Sequence, residues 1–274
     1  MHTPRKRFGQ NFLNSEAVIV QMVKAISPRR GNQLVEIGPG QGALTDPLLN
    51  SLDPSAHMDV IELDRDLIPV LRAKFFKFLE SSQLEIHEGD VLNFDFQELI
   101  NSHSPSALRI VGNLPYNIST DLLFYLLNFL PGLTDMHFLL QKEVVDRLAA
   151  PMGSSEYSRL SVLIQYYCEV EPLFLVSPDN FYPVPKVMSQ FVRLIPRTGD
   201  KKFTPVNFKH LDQVLRTAFQ MRRKTLRNNF KKSEAIFSDA ALISLEINPE
   251  DRPQNLKISD FVNLAQLLSS HSQD

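Results

Sequence analysis

Short apolar runs alternate along this chain with stretches of helical period. "LVEIG" from Leu34, "MDVIELD" from Met58, "LEIHEGD" from Leu84, "LRIVGN" from Leu108 and "MHFLLQ" from Met136 read as strands. Between them, "RDLIPVLRAKFFKFL" and "TDLLFYLLNFL" repeat apolar residues at helical spacing. Strand–helix alternation predicts an α/β domain with a mostly parallel sheet. In such sheets ligands sit outside the carboxyl ends of the strands, so chemistry is expected in the residues that directly follow each run.

The chain of 274 residues, 43% hydrophobic, has room for one large domain and a small second one. "IPRTGDKKFTPV" is a Pro-, Gly- and Lys-containing break, and beyond it "FKHLDQVLRTAFQMRRKTLRNNFKK", "SDAALISLEI" and "ISDFVNLAQLL" read as helices. This places a catalytic domain in residues 1–198 and a small all-helical domain in 199–274. Charge is sorted between the two parts. Residues 1–181 hold 14 Lys and Arg against 22 Asp and Glu, whereas residues 182–274 hold 15 against 9. An acidic body with a basic tail points to two jobs, and the basic one suits a polyanion. Cys168 is the only cysteine, which excludes an internal disulfide or a cysteine-held metal. The opening "MHTPRKRFGQNF" is basic with no apolar stretch behind it, unlike a secretory signal, and no run is long enough to span a membrane. Asn14 or Ser15 can cap a first helix, "SEAVIVQMVKAI".

"VEIGPGQGALT" ends a strand in Gly38, Gly40 and Gly42. Glycines at a strand–helix turn let a ligand approach backbone N–H groups. The spacing is G-x-G-x-G and not the dinucleotide fingerprint, which speaks against an NAD-dependent oxidoreductase. The next run ends in "IELD", where Glu62 can accept from both hydroxyls of a ribose, and the third ends in "EGD", where Asp90 can accept from an adenine amine. Carboxylates at successive strand ends suit a cationic adenosine ligand, and S-adenosyl-L-methionine carries a sulfonium and an ammonium against one carboxylate.

The fourth run is followed by "NLPY", Asn113 to Tyr116. An exocyclic adenine amine is a weak nucleophile because its lone pair is conjugated into the ring. Acceptors aimed at its N–H groups favour the pyramidal nitrogen that forms during attack. The Asn113 side-chain oxygen is one such acceptor and the Leu114 carbonyl, held by Pro115, is a second, while Tyr116 can stack on a base removed from its helix.

With these stand "RKRFGQNFL", "IELDRDL", "EGDVL", "VGNLPYNIST", "LLQKEVVDRL", "YSRLSVLIQYY", "FYPVPKVMSQFVRL" and "FQMRRKTLRNNF". In this order they make the chain resemble the ribosomal RNA adenine N6,N6-dimethyltransferases, in their bacterial small-subunit branch, over nearly its whole length. The resemblance implies a Rossmann-like class I methyltransferase fold with a mostly parallel seven-stranded sheet, the antiparallel strand being Val187 to Ile195, plus a small all-helical C-terminal domain. It implies that Asn11 and Leu13 fold over S-adenosyl-L-methionine, that Gly38 and Gly40 line its methionine end, and that Glu62 and Asp90 hold ribose and adenine. Asn113, shared with the cofactor site, would act with Leu114, Pro115 and Tyr116 on the target adenine. Phe181 is similar to the aromatic that packs on that base from the other side, although ordinary core packing accounts for it equally well. The implied reaction is dimethylation of two adjacent adenosines in the 3′-terminal hairpin of 16S rRNA, on the assembling 30S subunit, by a cytoplasmic monomer with no membrane or DNA partner.

"RTAFQMRRKTLRNNFKK" is expected to form one helix with Arg223, Arg227 and Lys231 on a single face flanked by Arg222 and Lys224, and to meet RNA phosphates with help from Arg5, Lys6 and Arg7. The seven histidines form no i, i+4 pair and are read as structural or surface residues, with no metal expected. The competing readings are a large-subunit rRNA methyltransferase of the macrolide-resistance branch and a mainly non-catalytic ribosome assembly factor.

Overall fold

The computed structural model describes residues 10–29, 31–102 and 108–271. Contacts divide the chain into two compact units, the described residues of Met1–Val145 with Glu171–Pro196, and those of Asp146–Val170 with Arg197–Asp274.

In the first unit the chain runs β1 (Phe12–Leu13), α1 (Glu16–Ile26), β2 (Gln33–Ile37), α2 (Thr45–Ser51), β3 (Met58–Glu62), α3 (Ile68–Lys74), α4 (Phe76–Glu80), β4 (Leu84–Glu88), α5 (Phe96–Ser102), β5 (Leu108–Asn113), α6 (Ser119–Leu126) and β6 (Leu133–Gln141). The chain then passes through α7 (Lys142–Leu148) and α8 (Arg159–Tyr167), which belongs to the second unit, and returns in β7 (Cys168–Val176), β8 (Phe181–Tyr182) and β9 (Ser189–Pro196). The seven-stranded sheet has the order β4-β3-β2-β5-β6-β9-β7. β2 pairs in parallel with β3 and β5, β3 with β4, and β5 with β6, whereas β9 is antiparallel to β6. This is the Rossmann-like methyltransferase architecture, with β9 starting two residues inside the predicted Val187–Ile195 strand. β2 and β3 are buried along their whole length, as central parallel strands must be.

β7 completes the expected seven strands at a position that no sequence pattern marks. Its "CEVEPLFLV" holds two glutamates and a proline and leaves Glu171, Pro172 and Leu173 exposed. It is the edge strand, where a residue without an N–H costs no ladder bond.

A buried ion network pins the sheet to α1. Asp135 on β6 accepts from Arg109 Nε at 2.7 Å and from Arg193 at 2.8 and 3.0 Å. Arg109 also donates to the Ile26 carbonyl at the end of α1 at 2.7 Å. The two arginines hold the Asp135 carboxyl below its usual range despite its burial, which acts in the opposite sense.

The second unit adds α9 (Phe208–Ala218), α10 (Leu226–Phe230), α11 (Asp239–Ser244) and α12 (Ile258–His271) to α8. Its extent differs from the single break expected at 198/199, because Asp146–Val170 groups with the C-terminal helices. Arg159 on α8 meets Asp212 on α9 at 2.6 Å, and a Ser158–Ser161 capping box starts α8. Leu211, Val214, Leu215, Phe261, Leu264 and Leu268 build its core.

The long basic helix expected over Arg216–Lys232 does not form. α9 stops at Ala218, a turn follows, and α10 begins only at Leu226. Buried Asn229 holds that turn by accepting from Met221 N at 3.1 Å and donating to the Met221 and Lys224 carbonyls at 3.3 and 3.4 Å. The Leu226 and Arg227 N–H groups donate to the Asp251 and Pro249 carbonyls instead of to a preceding helical turn.

Candidate active site

Four neighbouring strands end at one cleft of about 580 Å³. β2 delivers Gly38 and Gly40, β3 Glu62, β4 Asp90 and β5 Asn113 with Leu114, Pro115 and Tyr116, and all line the cleft. Asn11 and Leu13 line it from the N-terminal segment. That segment is fastened by strand pairing and by side-chain bonds. β1 pairs antiparallel with β8, in the register Phe12 to Tyr182 and Leu13 to Phe181. Gln10 Nε2 donates to Asp64 Oδ2 at 2.9 Å, and Asn113 Nδ2 donates to the Asn11 carbonyl at 2.9 Å.

Glu62 is no surface carboxylate. It is 6% exposed, and its oxygens accept from Gly40 N at 3.1 Å and Asp64 N at 2.8 Å. Burial pushes its carboxyl up and these backbone donors hold it down. Each carboxylate oxygen has a second lone pair, so both ribose hydroxyls can still be accepted. Gly40 sits at φ +58°, and a Cβ there would stand 2.9 Å from the Phe12 ring, so only glycine allows both the turn and the close strap. Asp90 Oδ1 accepts from Leu92 N at 3.0 Å, which fixes the side chain at the start of a short 3₁₀ turn.

At the end of β5, the bond to Asn11 uses an Asn113 amide hydrogen and leaves Oδ1 with no donor among the described residues. The Tyr116 hydroxyl and Ser189 Oγ are 2.8 Å apart, which locks the ring in place, and burial raises the phenol. Phe181 is not at the cleft. It is 1% exposed and belongs to the apolar core, because strand alternation in β8 turns it inward and its neighbour outward. That neighbour, Tyr182, is 63% exposed and lines the cleft.

Tyr182 and Glu36 are among the cleft residues that escaped sequence reasoning. Tyr182 was signalled only by its alternation with Phe181. Glu36 lies inside β2, where it passes for a strand residue, yet it is 2% exposed and lines the cleft. Burial raises its carboxyl to about 7, opposed by the Thr45 hydroxyl, which donates to it at 2.6 Å.

The model for "Ribosomal RNA adenine dimethylase" matches residues 1–270. The chain belongs to the ribosomal RNA adenine dimethylase family. It is 50% identical to "Ribosomal RNA small subunit methyltransferase A" of Marinomonas sp. (strain MWYL1) over 267 residues, 96% of this chain and 95% of that one. It is also 50% identical to the protein of the same name from Pseudomonas aeruginosa, over 98% of this chain and 96% of that one. A solved dimethyladenosine transferase from Plasmodium falciparum superposes with a TM-score of 0.79 at 26% identity, over 95% of this chain and 98% of that one. For a dimethylase the cleft's features fit the family's chemistry, with buried acid at one end and a fixed carboxamide at the other.

Of the basic residues expected to meet RNA, Arg5, Lys6 and Arg7 lie outside the described residues. Arg222 donates to the Tyr157 carbonyl at 2.9 Å and also to that of Ser155. Arg227 is engaged by Asp239 at 2.7 Å and by Glu250. Arg223, Lys224 and Lys231 are exposed and have no acidic partner among the described residues.

Proposed function

We propose that this protein transfers methyl groups from S-adenosyl-L-methionine to N6 of adenosines in small-subunit ribosomal RNA. The finer reading is dimethylation of two adjacent adenosines in the 3′-terminal hairpin of 16S rRNA, on the assembling 30S particle, by a cytoplasmic monomer. No helix among the described residues is long and apolar enough to cross a membrane.

The observation that carries the reading is the orientation of Asn113. Its Nδ2 is committed to Asn11, so Oδ1 is the group left to receive a ligand hydrogen. When bound, the cofactor supplies an electrophilic methyl group. Glu62 accepts from its ribose and Asp90 from its adenine. Asn113 Oδ1 and the Leu114 carbonyl accept the target amine's two hydrogens and favour the pyramidal nitrogen. Such preorganised dipoles act where charge develops. Tyr116 stacks on one face of the base, and Tyr182 provides the second wall in place of Phe181. The basic C-terminal unit holds the RNA by its phosphates.

Undermethylated 30S particles incubated with labelled S-adenosyl-L-methionine provide the test, with nuclease digestion locating the label. Label on N6 of adenosine in 16S rRNA is the expected result. Label confined to large-subunit RNA, or no transfer, overturns the reading.

A further inference from the structure

The six residues between Tyr182 and Ser189, "PVPKVM", form an arch tied to the cleft at both ends. At its start, Tyr182 lines the cleft and pairs with Phe12. At its end, Ser189 Oγ lies 2.8 Å from the hydroxyl of Tyr116, which also lines the cleft. The Lys142 N–H donates to the Met188 carbonyl at 2.9 Å, and Ser189 opens β9 opposite Gln141 of β6. Between these ties Pro183 and Pro185 fix two of the φ angles, and Pro185 is buried.

The arch turns apolar groups outward. Val184 is 63% exposed and Val187 44%. Lys186, between them, is exposed and has no acidic partner among the described residues. Single exposed apolar residues are ordinary on any surface. Here Tyr182 and two valines fall within six residues, on a backbone too constrained to fold them away. Val184 stands two residues past Tyr182 and Val187 two before Ser189, so each Cα lies within about 7 Å of a residue tied to the cleft. Side chains held this way lose little conformational freedom when something covers them.

A base that enters the cleft leaves its stack, and the covalent backbone brings its neighbours to the rim. One face of the neighbouring base is then uncovered. We propose, resting on the function given above, that Val184 and Val187 seat the base of a nucleotide adjacent to the target adenosine, and that Lys186 meets the phosphate joining the two. Valine side chains offer neither donor nor acceptor, so the seat responds to the area of a base and not to its N6 hydrogens. Those hydrogens are read only at Asn113 and Leu114. Where two adjacent adenosines are modified, the seat holds adenosine and its dimethylated form alike, so methylation of one does not bar the other from the cleft.

The test uses 30S particles reconstituted with 16S rRNA that carries an abasic ribose on the 5′ or the 3′ side of the adenosine that accepts label. With the native chain, one of the two abasic particles should lose about 10-fold in kcat/KM. The double variant Val184→Ser, Val187→Ser should lose about 10-fold on intact particles and nothing further on that abasic particle, because the same contact is missing from either side. Its urea midpoint and cofactor dissociation constant should match those of the native chain. Lys186→Gln should flatten the slope of log affinity against log salt by roughly 0.7–0.9 unit. The seat is overturned if neither abasic particle is impaired, if the losses multiply instead of coinciding, or if the double variant keeps full kcat/KM or weakens cofactor binding. No label on rRNA adenosine from the native chain would overturn the function itself, and the seat with it.

Discussion

The carboxamide of Asn113 is tied at 2.9 Å to the main-chain carbonyl of Asn11, a residue 102 positions earlier. One side chain thus lines the cleft and also fastens the N-terminal segment beside it. Asn113→Ala should lower the single-turnover rate by about 10²–10³, as loss of a preorganised polar group does. It should also weaken cofactor binding by about 0.5–1.5 kcal/mol, the value of one hydrogen bond. Single-turnover rates beside calorimetric cofactor titration separate the two effects, and near-normal turnover would remove Asn113 from the chemistry.

Glu62→Ala should act mainly on the cofactor. Losing a charged acceptor for the ribose hydroxyls weakens binding by about 1.5–3 kcal/mol. An unchanged cofactor dissociation constant in a folded variant would confine Glu62 to supporting the glycine turn.

Phe181 and Tyr182 should separate stability from substrate handling. Phe181→Ala opens a cavity in the core and should cost about 3–5 kcal/mol of stability. Tyr182→Ala should leave stability within about 0.5 kcal/mol, because its ring is exposed. If Tyr182 stacks on the base, that variant should lose about 1–3 kcal/mol in kcat/KM for RNA. Urea unfolding together with steady-state kinetics decides between them, and the assignment fails if Tyr182→Ala keeps normal kcat/KM.

Glu36 gives the free protein a pH signature. Its carboxyl stands at about 7 in the fold against an ordinary 4.5. Between those values the folded state holds a proton that the unfolded state has released. The stabilisation is fully present below about pH 4.5 and lost as pH rises through 7, by about 3 kcal/mol in all. Glu36→Gln, neutral throughout, should gain on the wild type by about that amount between pH 5 and 8. Urea midpoints without cofactor would show it, and a pH-independent difference would mean that Glu36 is ionised in the fold at pH 5.

Arg223, Lys224 and Lys231 replace the trio that helical spacing suggested, since Arg227 is already engaged by Asp239 and Glu250. Changing the three to Gln should flatten the slope of log affinity for 30S particles against log salt by roughly 2 units. Arg227→Gln alone should change it less. Binding across a salt series with a folded triple variant tests this, and an unaltered slope would place RNA contact elsewhere.

The parallel strands were legible because each is a short apolar run, all but β6 closed by Gly, Asp or Asn, and the cleft residues were legible because they follow those runs. β7 was hidden by Glu169, Glu171 and Pro172, residues that an exposed edge tolerates. The break after Ala218 was hidden because Asn229 sets it from eight residues beyond Met221, and local propensity carries no record of that bond. Glu36 was missed because a carboxylate inside a buried strand becomes conspicuous only when its neighbours are known. The tie between Asn113 and Asn11 joins segments too far apart for any sequence period to reveal.

The strand order β4-β3-β2-β5 places Asp90, Glu62, the glycine turn and Asn113 side by side. Adjacent strands stand about 4.8 Å apart, so these four stations span roughly 14 Å across the sheet. Under the proposed function the sheet is a ruler for its ligand, with adenine assigned to one mark, ribose to the next, the amino-acid end to the third and the acceptor base to the fourth. Its gradations are set by main-chain hydrogen bonding, which side-chain replacement does not alter. Substitution can change what is gripped at each mark, while the distance from nucleoside to acceptor stays written in the backbone.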